Sequence, residues 1–337
     1  MSANERYSRH IRLRSIGKQG QERLTKSRVV IIGCGALGTT IANSLVRSGV
    51  GVIRIADRDV VELSNLQRQM LFDEGDVGSP KAIVAAHKLE KINSDIKIEP
   101  VADDITYKNI QNIIKTMNVV IDGTDNMLTR FLINDACVKH NIPWVYGGAI
   151  ETYGMTMNII PPKRPCFRCL IPNIPEAGSL PTCDTVGVLT TIPTIIGSLQ
   201  STEAIKILLQ KKDVNKNLIT YDVWNHSFES IEIKKNPDCE CCGKHHYEFL
   251  QGKLKEDVVS LCEKGAIQIS PVKKTIVSFD DLEKKLRNVG DVENRKVILR
   301  CKIQNYELNI FQNGRAIITG TNDKNIAKSL YAKYIGH

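Results

Sequence analysis

The chain has no apolar run approaching the ~20 residues that a membrane-spanning helix requires, which excludes an integral helical membrane protein. Its N-terminus, MSANERYSRHIRLRS, lacks the apolar stretch of a secretory signal, so a cytoplasmic location is the expectation. There is no internal repeat and no low-complexity tract. No Lys/Arg block is interleaved with the aromatic residues that base stacking would need, which argues against a nucleic-acid partner. Nucleotide phosphates or an acidic protein partner explain the net charge of +9 equally well.

What is present suits a globular protein: 337 residues, 42% hydrophobic and 25% charged, enough for one large core or two domains. The basic bias is regional, because residues 251–337 hold 16 Lys and Arg against 10 Asp and Glu, six of the nine net charges. Ten cysteines without a secretory signal point to reduced thiols, metal ligands or catalysis rather than a disulfide framework.

Ser27 to Ile32 is a short β-branched run ending in Gly33-Cys34-Gly35-Ala36-Leu37-Gly38, followed by helix-compatible text to Gly49 and a second buried run, 51–56, closing on Asp57. Strand, glycine turn, helix and strand make one βαβ unit and imply a parallel sheet. Further helices are expected near 80–92, 107–115 and 129–140, with strands at 96–101, 119–123 and 144–147. The predicted fold class is α/β, a doubly wound, mainly parallel Rossmann-like sheet. From Met155 onward the strands at 155–160, 218–224 and 228–234 are separated by a single helix, 194–210, so the sheet is expected to continue with antiparallel members.

The cysteine-rich turns of 236–246 close this first domain, read as residues 1–248. Residues 249–337 are read as a small α+β domain with strands at 296–303, 307–312 and 316–319 and helices at 279–287 and 324–334. Asn313-Gly314 between two of those strands is a hairpin signal.

The glycine turn places backbone N–H groups at a helix N-terminus, where phosphate is favoured, and Gly33, Gly35 and Gly38 permit close approach. Asp57, 22 residues past Gly35, can take both ribose hydroxyls from the end of the second strand. A nicotinamide dehydrogenase and an ATP enzyme are both served by these features. The stretch that follows separates them: Asp59, then Ser64-Asn65-Leu66-Gln67-Arg68-Gln69, then Gly78-Ser79-Pro80-Lys81. Cations arriving from outside the glycine turn suit a triphosphate whose charge must be neutralised while it breaks. Arg68 and Lys81 are those cations, although either alone reads as a solvated surface charge.

Cys166-Phe167-Arg168-Cys169 and Cys239-Glu240-Cys241-Cys242 supply paired thiols some 70 residues apart, the donor set of a closed tetrahedral structural zinc site. On spacing alone either Cys241 or Cys242 completes the second pair, and His245 and His246 are available substitutes. Cys183, in Leu180-Pro181-Thr182-Cys183-Asp184-Thr185, lies on a polar loop before a helix, where a lowered pKa makes a thiol nucleophilic; a passive loop residue is the plain alternative. Cys34, Cys137, Cys262 and Cys301 sit in apolar text and read as small core residues.

The run DRDVVELSNLQRQ, the later Gly123-Thr124-Asp125-Asn126 and the opening Arg6-Tyr7-Ser8-Arg9 resemble the ThiF/MoeB family and the ubiquitin-activating adenylation domains, over residues 5–246. That resemblance implies an adenylyltransferase that uses ATP and Mg²⁺ to activate the terminal glycine of a ubiquitin-like sulfur carrier of the ThiS or MoaD type. It assigns Asp57 to the ribose, Asn65, Arg68 and Lys81 to the phosphates and Asp125 to Mg²⁺, with Asp59, Gln69 and Asn126 in the same nucleotide-binding set. A helix N-cap is the bland reading of Asp125. Arg9 resembles the arginine that such dimers lend to the neighbouring subunit's ATP, implying a homodimer. The family's Cys-x-x-Cys before Gly selects Cys239 and Cys242 for zinc and makes Cys241 a departure. In the same enzymes a cysteine at the place of Cys183 can link covalently to the carrier, and a cysteine desulfurase or another sulfur donor is the implied further partner. The tail, with Phe311 to Ala316 and Ser329 to Tyr331, resembles the C-terminal extension of Gram-positive ThiF-like proteins and lacks a rhodanese signature. An NAD-dependent oxidoreductase and a non-catalytic scaffold for a ubiquitin-like protein are the rival readings, with a tRNA-modifying branch of the superfamily behind them.

Overall fold

The computed structural model describes residues 3–175, 181–252, 258–260, 265–271 and 276–335. Leu180 and Cys262 lie outside the described residues. The chain divides into two compact units, Met1–Lys253 and Leu254–His337.

The first unit is built on eight strands: β1 Arg28–Ile32, β2 Val52–Ala56, β3 Lys97–Val101, β4 Val119–Asp122, β5 Trp144–Ile150, β6 Tyr153–Ile159, β7 Leu218–Asp222 and β8 Ser227–Ile231. Their spatial order is β3-β2-β1-β4-β5-β6-β7-β8. The first five are parallel, and β6, β7 and β8 continue the sheet antiparallel. Parallel strands with both faces covered read as continuous apolar runs, and β1 (RVVII) and β4 (VVID) are buried from end to end apart from Arg28.

Alternation splits each strand between two cores. Val29 and Ile31 face the helices Ala36–Ser48, Lys81–Ile92 and Thr191–Leu208, whereas Val30 and Ile32 face Ile110–Ile114 and Met127–His140. The Ala36–Ser48 helix stops because Gly49 adopts φ 83°, a left-handed cap open to glycine at no steric cost.

Between β6 and β7 there are two short helices besides Thr191–Leu208, at Phe167–Leu170 and Cys183–Val186, where the sequence pattern predicts only one. Single turns of four residues are too short for a periodicity to register.

The second unit is a six-stranded antiparallel sheet: β9 Val258–Ser260, β10 Ala266–Ile269, β11 Asp291–Asn294, β12 Ile298–Ile303, β13 Tyr306–Phe311 and β14 Ala316–Thr319, in the order β11-β12-β13-β14-β10-β9. The helices Phe279–Leu286 and Lys324–Tyr334 cover one face with a core of Ile267, Leu282, Leu299, Leu308 and Ile318. At the Asn313-Gly314 turn, Gly314 takes φ 80° and Phe311 N–H donates to Arg315 O at 2.9 Å, so three residues span the bend.

Candidate functional site

In a doubly wound sheet the ligand crevice lies beyond the carboxyl ends of the strands where the order reverses, here between β1 and β4. The two bends that follow these strands press against each other. A Cβ on Gly33 would fall 2.5 Å from the Gly123 carbonyl, one on Gly123 would fall 2.4 Å from Gly33 O, and one on Gly38 would fall 2.0 Å from the same oxygen. Gly33 also holds φ +91°. These three glycines are required by backbone packing alone. Gly35 is different: its nearest neighbours, Gln69 Nε2 and Gly123 O, are both 3.9 Å from a built Cβ, so its bare α-carbon borders open space. It begins the Ala36–Ser48 helix, whose first N–H groups and positive dipole end face that space. Gln69 lines it, nearly fully buried, and its Oε1 has no hydrogen-bond partner among the described residues.

Asp57 ties this bend down. Its Oδ2 accepts from Cys34 N at 2.5 Å and its Oδ1 from Asp59 N at 2.7 Å. Burial, then the neighbouring Asp59 charge, raise its pKa to about 6, against the opposing pull of Lys81 and the two backbone N–H groups. Burial and the Asp57 charge also push the Cys34 thiol far up, so Cys34 is an inert core residue, as are the buried Cys137 and Cys301.

Lys81 opens the Lys81–Ile92 helix directly after Pro80. The turn before it is laced to the β2 exit by Val61 N to Ser79 O and Gly78 N to Val61 O, both 2.8 Å, and Lys81 N donates to Asp59 O at 2.9 Å. Its ammonium is therefore brought to the glycine bend, 6% exposed, with Nζ 3.6 Å from Asp59 Oδ2. Asn65 is buried in the one-turn helix Leu63–Asn65, and its carbonyl accepts from both Arg68 N and Gln69 N. Arg68 is half-buried, with Nη1 donating to Ser64 O at 3.0 Å.

Asp125 is exposed on the bend between β4 and the Met127–His140 helix. The cap of that helix is Asn126, whose side chain accepts from Thr129 N at 3.0 Å, so the expectation of Asp125 as N-cap is corrected. The shift of one residue leaves the Asp125 carboxylate outside the helix. Beneath it lies a cluster that sequence reasoning missed: Asp122, fully buried, paired with Arg130. Burial raises the Asp122 carboxyl despite Arg130 and two hydrogen bonds from Thr124. Gln200 Nε2 donates to Asp122 O at 2.8 Å from the helix across the sheet. Arg58, held by Asp104 at 3.2 Å, also lies in the field of Asp125: burial pulls its pKa down, and Asp104, Asp59 and Asp125 more than restore it.

Two further segments carry predicted site residues, and the first is not brought to the crevice: it packs against the C-terminal ends of the Ala36–Ser48 and Lys81–Ile92 helices. Tyr7 is buried, accepting from Asn93 Nδ2 at 2.8 Å, and fixes the Ser8–Arg12 helix. Arg9 on that helix is exposed and makes no hydrogen bond or ion pair among the described residues. Cys183 opens the one-turn helix Cys183–Val186, not a loop, with Sγ donating to Ala149 O at 3.8 Å over the end of β5. This segment is docked on the β5–β6 turn, where Glu151 holds φ 50° and exchanges hydrogen bonds with Gly187 and Leu189. Thr190 Oγ1 lies 2.9 Å from Gln67 O and 2.7 Å from Gln67 Oε1, so the segment is also joined to the turn that carries Arg68.

The sulfurs of Cys166, Cys169, Cys239 and Cys242 all lie within 4.8 Å of one another, with Cys166–Cys239 at 3.6 Å and Cys169–Cys242 at 3.5 Å. A tetrahedron with zinc–sulfur bonds of ~2.3 Å has edges of about 3.8 Å, so the cluster is compatible with zinc. Cys241 is turned instead to the Met127–His140 helix, where Asn134 Nδ2 donates to its sulfur at 3.2 Å and Asp135 meets it. His245 pairs with Tyr247 and His246 with Glu240, and neither joins the sulfur group. A Cβ on Gly243 would fall 2.0 Å from Pro237 O, so glycine alone allows this tight turn.

Residues 7–241 match the ThiF family. The chain belongs to it. Among ThiF relatives, the sulfur carrier protein ThiS adenylyltransferase of Bacillus subtilis is 38% identical over 98% of this chain and 99% of its own length. The SAMP-activating enzyme E1 of Haloferax volcanii is 42% identical over 71% of this chain and 89% of its own. Among solved structures, E. coli MccB with ATP superposes with a TM-score of 0.62 at 26% identity, covering 72% of this chain and 75% of that one. Within this ThiF fold, no helix among the described residues is long and apolar enough to cross a membrane.

The glycines separate fold from ligand. Gly38→Ala should fail to fold or lose several kcal/mol of stability, because its methyl group meets backbone. Gly35→Ala should melt within a few degrees of the parent yet bind ATP at least ~10-fold more weakly, since backbone approach to phosphate is what it obstructs. Calorimetric melting and ATP titration of both variants check this, and loss of folding in Gly35→Ala would contradict it.

Proposed function

We propose that the chain adenylates the C-terminal glycine carboxylate of a ubiquitin-like sulfur carrier protein, with ATP as donor. A carboxylate oxygen attacks the α-phosphorus, the bond to the β-phosphate oxygen breaks, and pyrophosphate leaves from a protein acyl-adenylate. The carboxylate is ionised at neutral pH and needs no general base, so the protein's task is positioning and charge stabilisation. The observation that carries this reading is the buried ammonium of Lys81 beside an open glycine bend. A dinucleotide enzyme would have no use for it, nor for the four paired cysteines. The space over Gly35, bordered by the Gln69 Nε2 donor, fits a nucleotide phosphate, and the uncommitted Oε1 of Gln69 fits a donor such as a nucleotide hydroxyl.

In this reading Asp57 holds the ribose, Asn65, Arg68 and Lys81 the phosphates, and Asp125 a Mg²⁺ ion. Magnesium keeps most of its waters and takes one or two carboxylates plus substrate phosphates, which suits a single exposed acid at a strand end. Arg9, exposed on the helix that Tyr7 anchors, serves the ATP of a second copy in a homodimer. Zinc in the four-cysteine cluster staples the β6 exit to residues 239–242 and has no open position for substrate. In the same reading Cys183 receives the acyl group, its thiolate displacing AMP, before a cysteine desulfurase or another donor supplies sulfur. All of these residues fall within 1–248, and a cytoplasmic setting suits reduced thiols. A ThiS-type carrier is favoured over a MoaD type because the B. subtilis relative aligns through the second unit as well.

ATP–pyrophosphate exchange should appear only with a carrier that retains its terminal glycine pair. Lys81→Ala should lower it ~10²-fold or more without unfolding the protein; exchange with no carrier tested would leave the scaffold reading ahead. Because Asp57 must be ionised to accept ribose hydroxyls, ATP affinity should fall as pH drops through about 6, and Asp57→Asn should flatten that dependence in calorimetric titrations. Elemental analysis should find one zinc per chain, lost in Cys239→Ser together with thermal stability.

A further inference from the structure

Arg130 is the one buried guanidinium among the described residues that touches the bend carrying Asp125, and nothing in the adenylation reading uses it. It lies one turn into the Met127–His140 helix, below the crevice. Its Nε donates to Asp122 Oδ2 at 3.1 Å; its Nη2 lies 2.5 Å from Thr124 O and 3.2 Å from Gly147 O; its plane sits 5.3 Å from the centre of the Tyr146 ring. Asp122 completes the grip, because its Oδ1 accepts both Thr124 N at 2.8 Å and Thr124 Oγ1 at 2.7 Å.

Every polar group of Thr124 is therefore held. The carbonyl taken by Arg130 belongs to the peptide that joins Thr124 to Asp125, so the guanidinium fixes the plane from which the Asp125 side chain leaves. On the far side, Asn126 is fixed as the helix cap, and Gly123 N donates to Ile32 O at 2.8 Å. Asp125 is the single exposed, unclamped side chain on a bend otherwise pinned at each residue. The same guanidinium reaches Gly147 O on β5, two residues before the carbonyl that receives Cys183 Sγ.

We infer that Arg130 is a positioning residue: through Asp122 and the Thr124 carbonyl it orients Asp125 toward the divalent cation of the nucleotide complex. The inference rests on the assignment of Asp125 proposed above. The spacing of three acceptors around one planar fork explains why arginine is needed. A lysine keeps the charge but offers a single nitrogen, which can satisfy Asp122 and leave the Thr124 carbonyl loose. Asp122 is fully buried and Arg130 nearly so, and they act on Asp125 through the Thr124 backbone and through the guanidinium charge, as outer partners of metal ligands do.

The test is a Mn²⁺ titration followed by electron paramagnetic resonance, on the full chain saturated with a non-hydrolysable ATP analogue. Arg130→Lys should raise the Mn²⁺ dissociation constant ~10-fold or more while metal-free analogue affinity stays within about twofold, the signature of a lost outer-sphere partner. The paired variant Asp122→Asn with Arg130→Gln, which leaves no charge buried alone, carries the same expectation should the single change not fold. Unchanged Mn²⁺ affinity in a folded variant overturns the inference, as does an equal loss of metal-free and metal-dependent binding. Asp125→Asn separates the two levels. If it too leaves Mn²⁺ binding intact, the assignment of Asp125 fails and the inference with it. If it abolishes binding while Arg130→Lys does not, only the positioning role fails.

Discussion

The molecule depends on the approach of two backbone bends, one ending β1 and one ending β4. With carbonyl of Gly33 and α-carbon of Gly123 in contact, there is no room between them for any side chain. That contact sets the depth of the crevice at the carboxyl ends of β1 and β4; Asp57 follows β2, Lys81 opens the Lys81–Ile92 helix and Asp125 follows β4, so the proposed site draws on three different connections. The surrounding hydrogen bonds serve to keep the bends from parting: Asp57 holds the first through Cys34 N, and Asp122 and Arg130 hold the second through Thr124.

Electrostatics in this opening are arranged before any ligand arrives. A buried ammonium flanked by two carboxylates costs desolvation energy that a protein built for stability alone would avoid. Burial and the Asp59 charge raise the Asp57 carboxyl to about 6 even with Lys81 and two backbone N–H groups pulling it down, so the opposite charges offset each other only in part. A polyanion entering such a site meets charges and dipoles that are already oriented, and little reorganisation accompanies its binding.

Much of the first unit is legible in the sequence, because β-branched runs bounded by glycine, aspartate and asparagine mark parallel strands within a residue or two. The second unit is less so. β11 reads DVEN and β10 only AIQI, too polar or too short to announce a strand, and they exist because β12 and β14 offer edges to pair with. At the site, Asp57 and Lys81 stand out by position after a strand and before a helix. The Asp122–Arg130 pair does not, since eight residues of separation reveal nothing about burial and strand-ending acids are common. Spacing likewise left Cys241 and Cys242 equivalent. The choice is made by Asn134 and Asp135 on a helix about 100 residues earlier, which engage one sulfur and leave the other for the cluster.

The difference between Gly35 and its neighbours has a consequence for how this sequence can drift. Gly33, Gly38 and Gly123 answer to folding, and every descendant that still folds must keep them. Packing makes no such demand on Gly35, where a side chain would meet open space. A duplicated copy released from the proposed activity would be free to acquire a side chain there while its architecture stayed whole, so of the four positions this is the one at which divergence comes first.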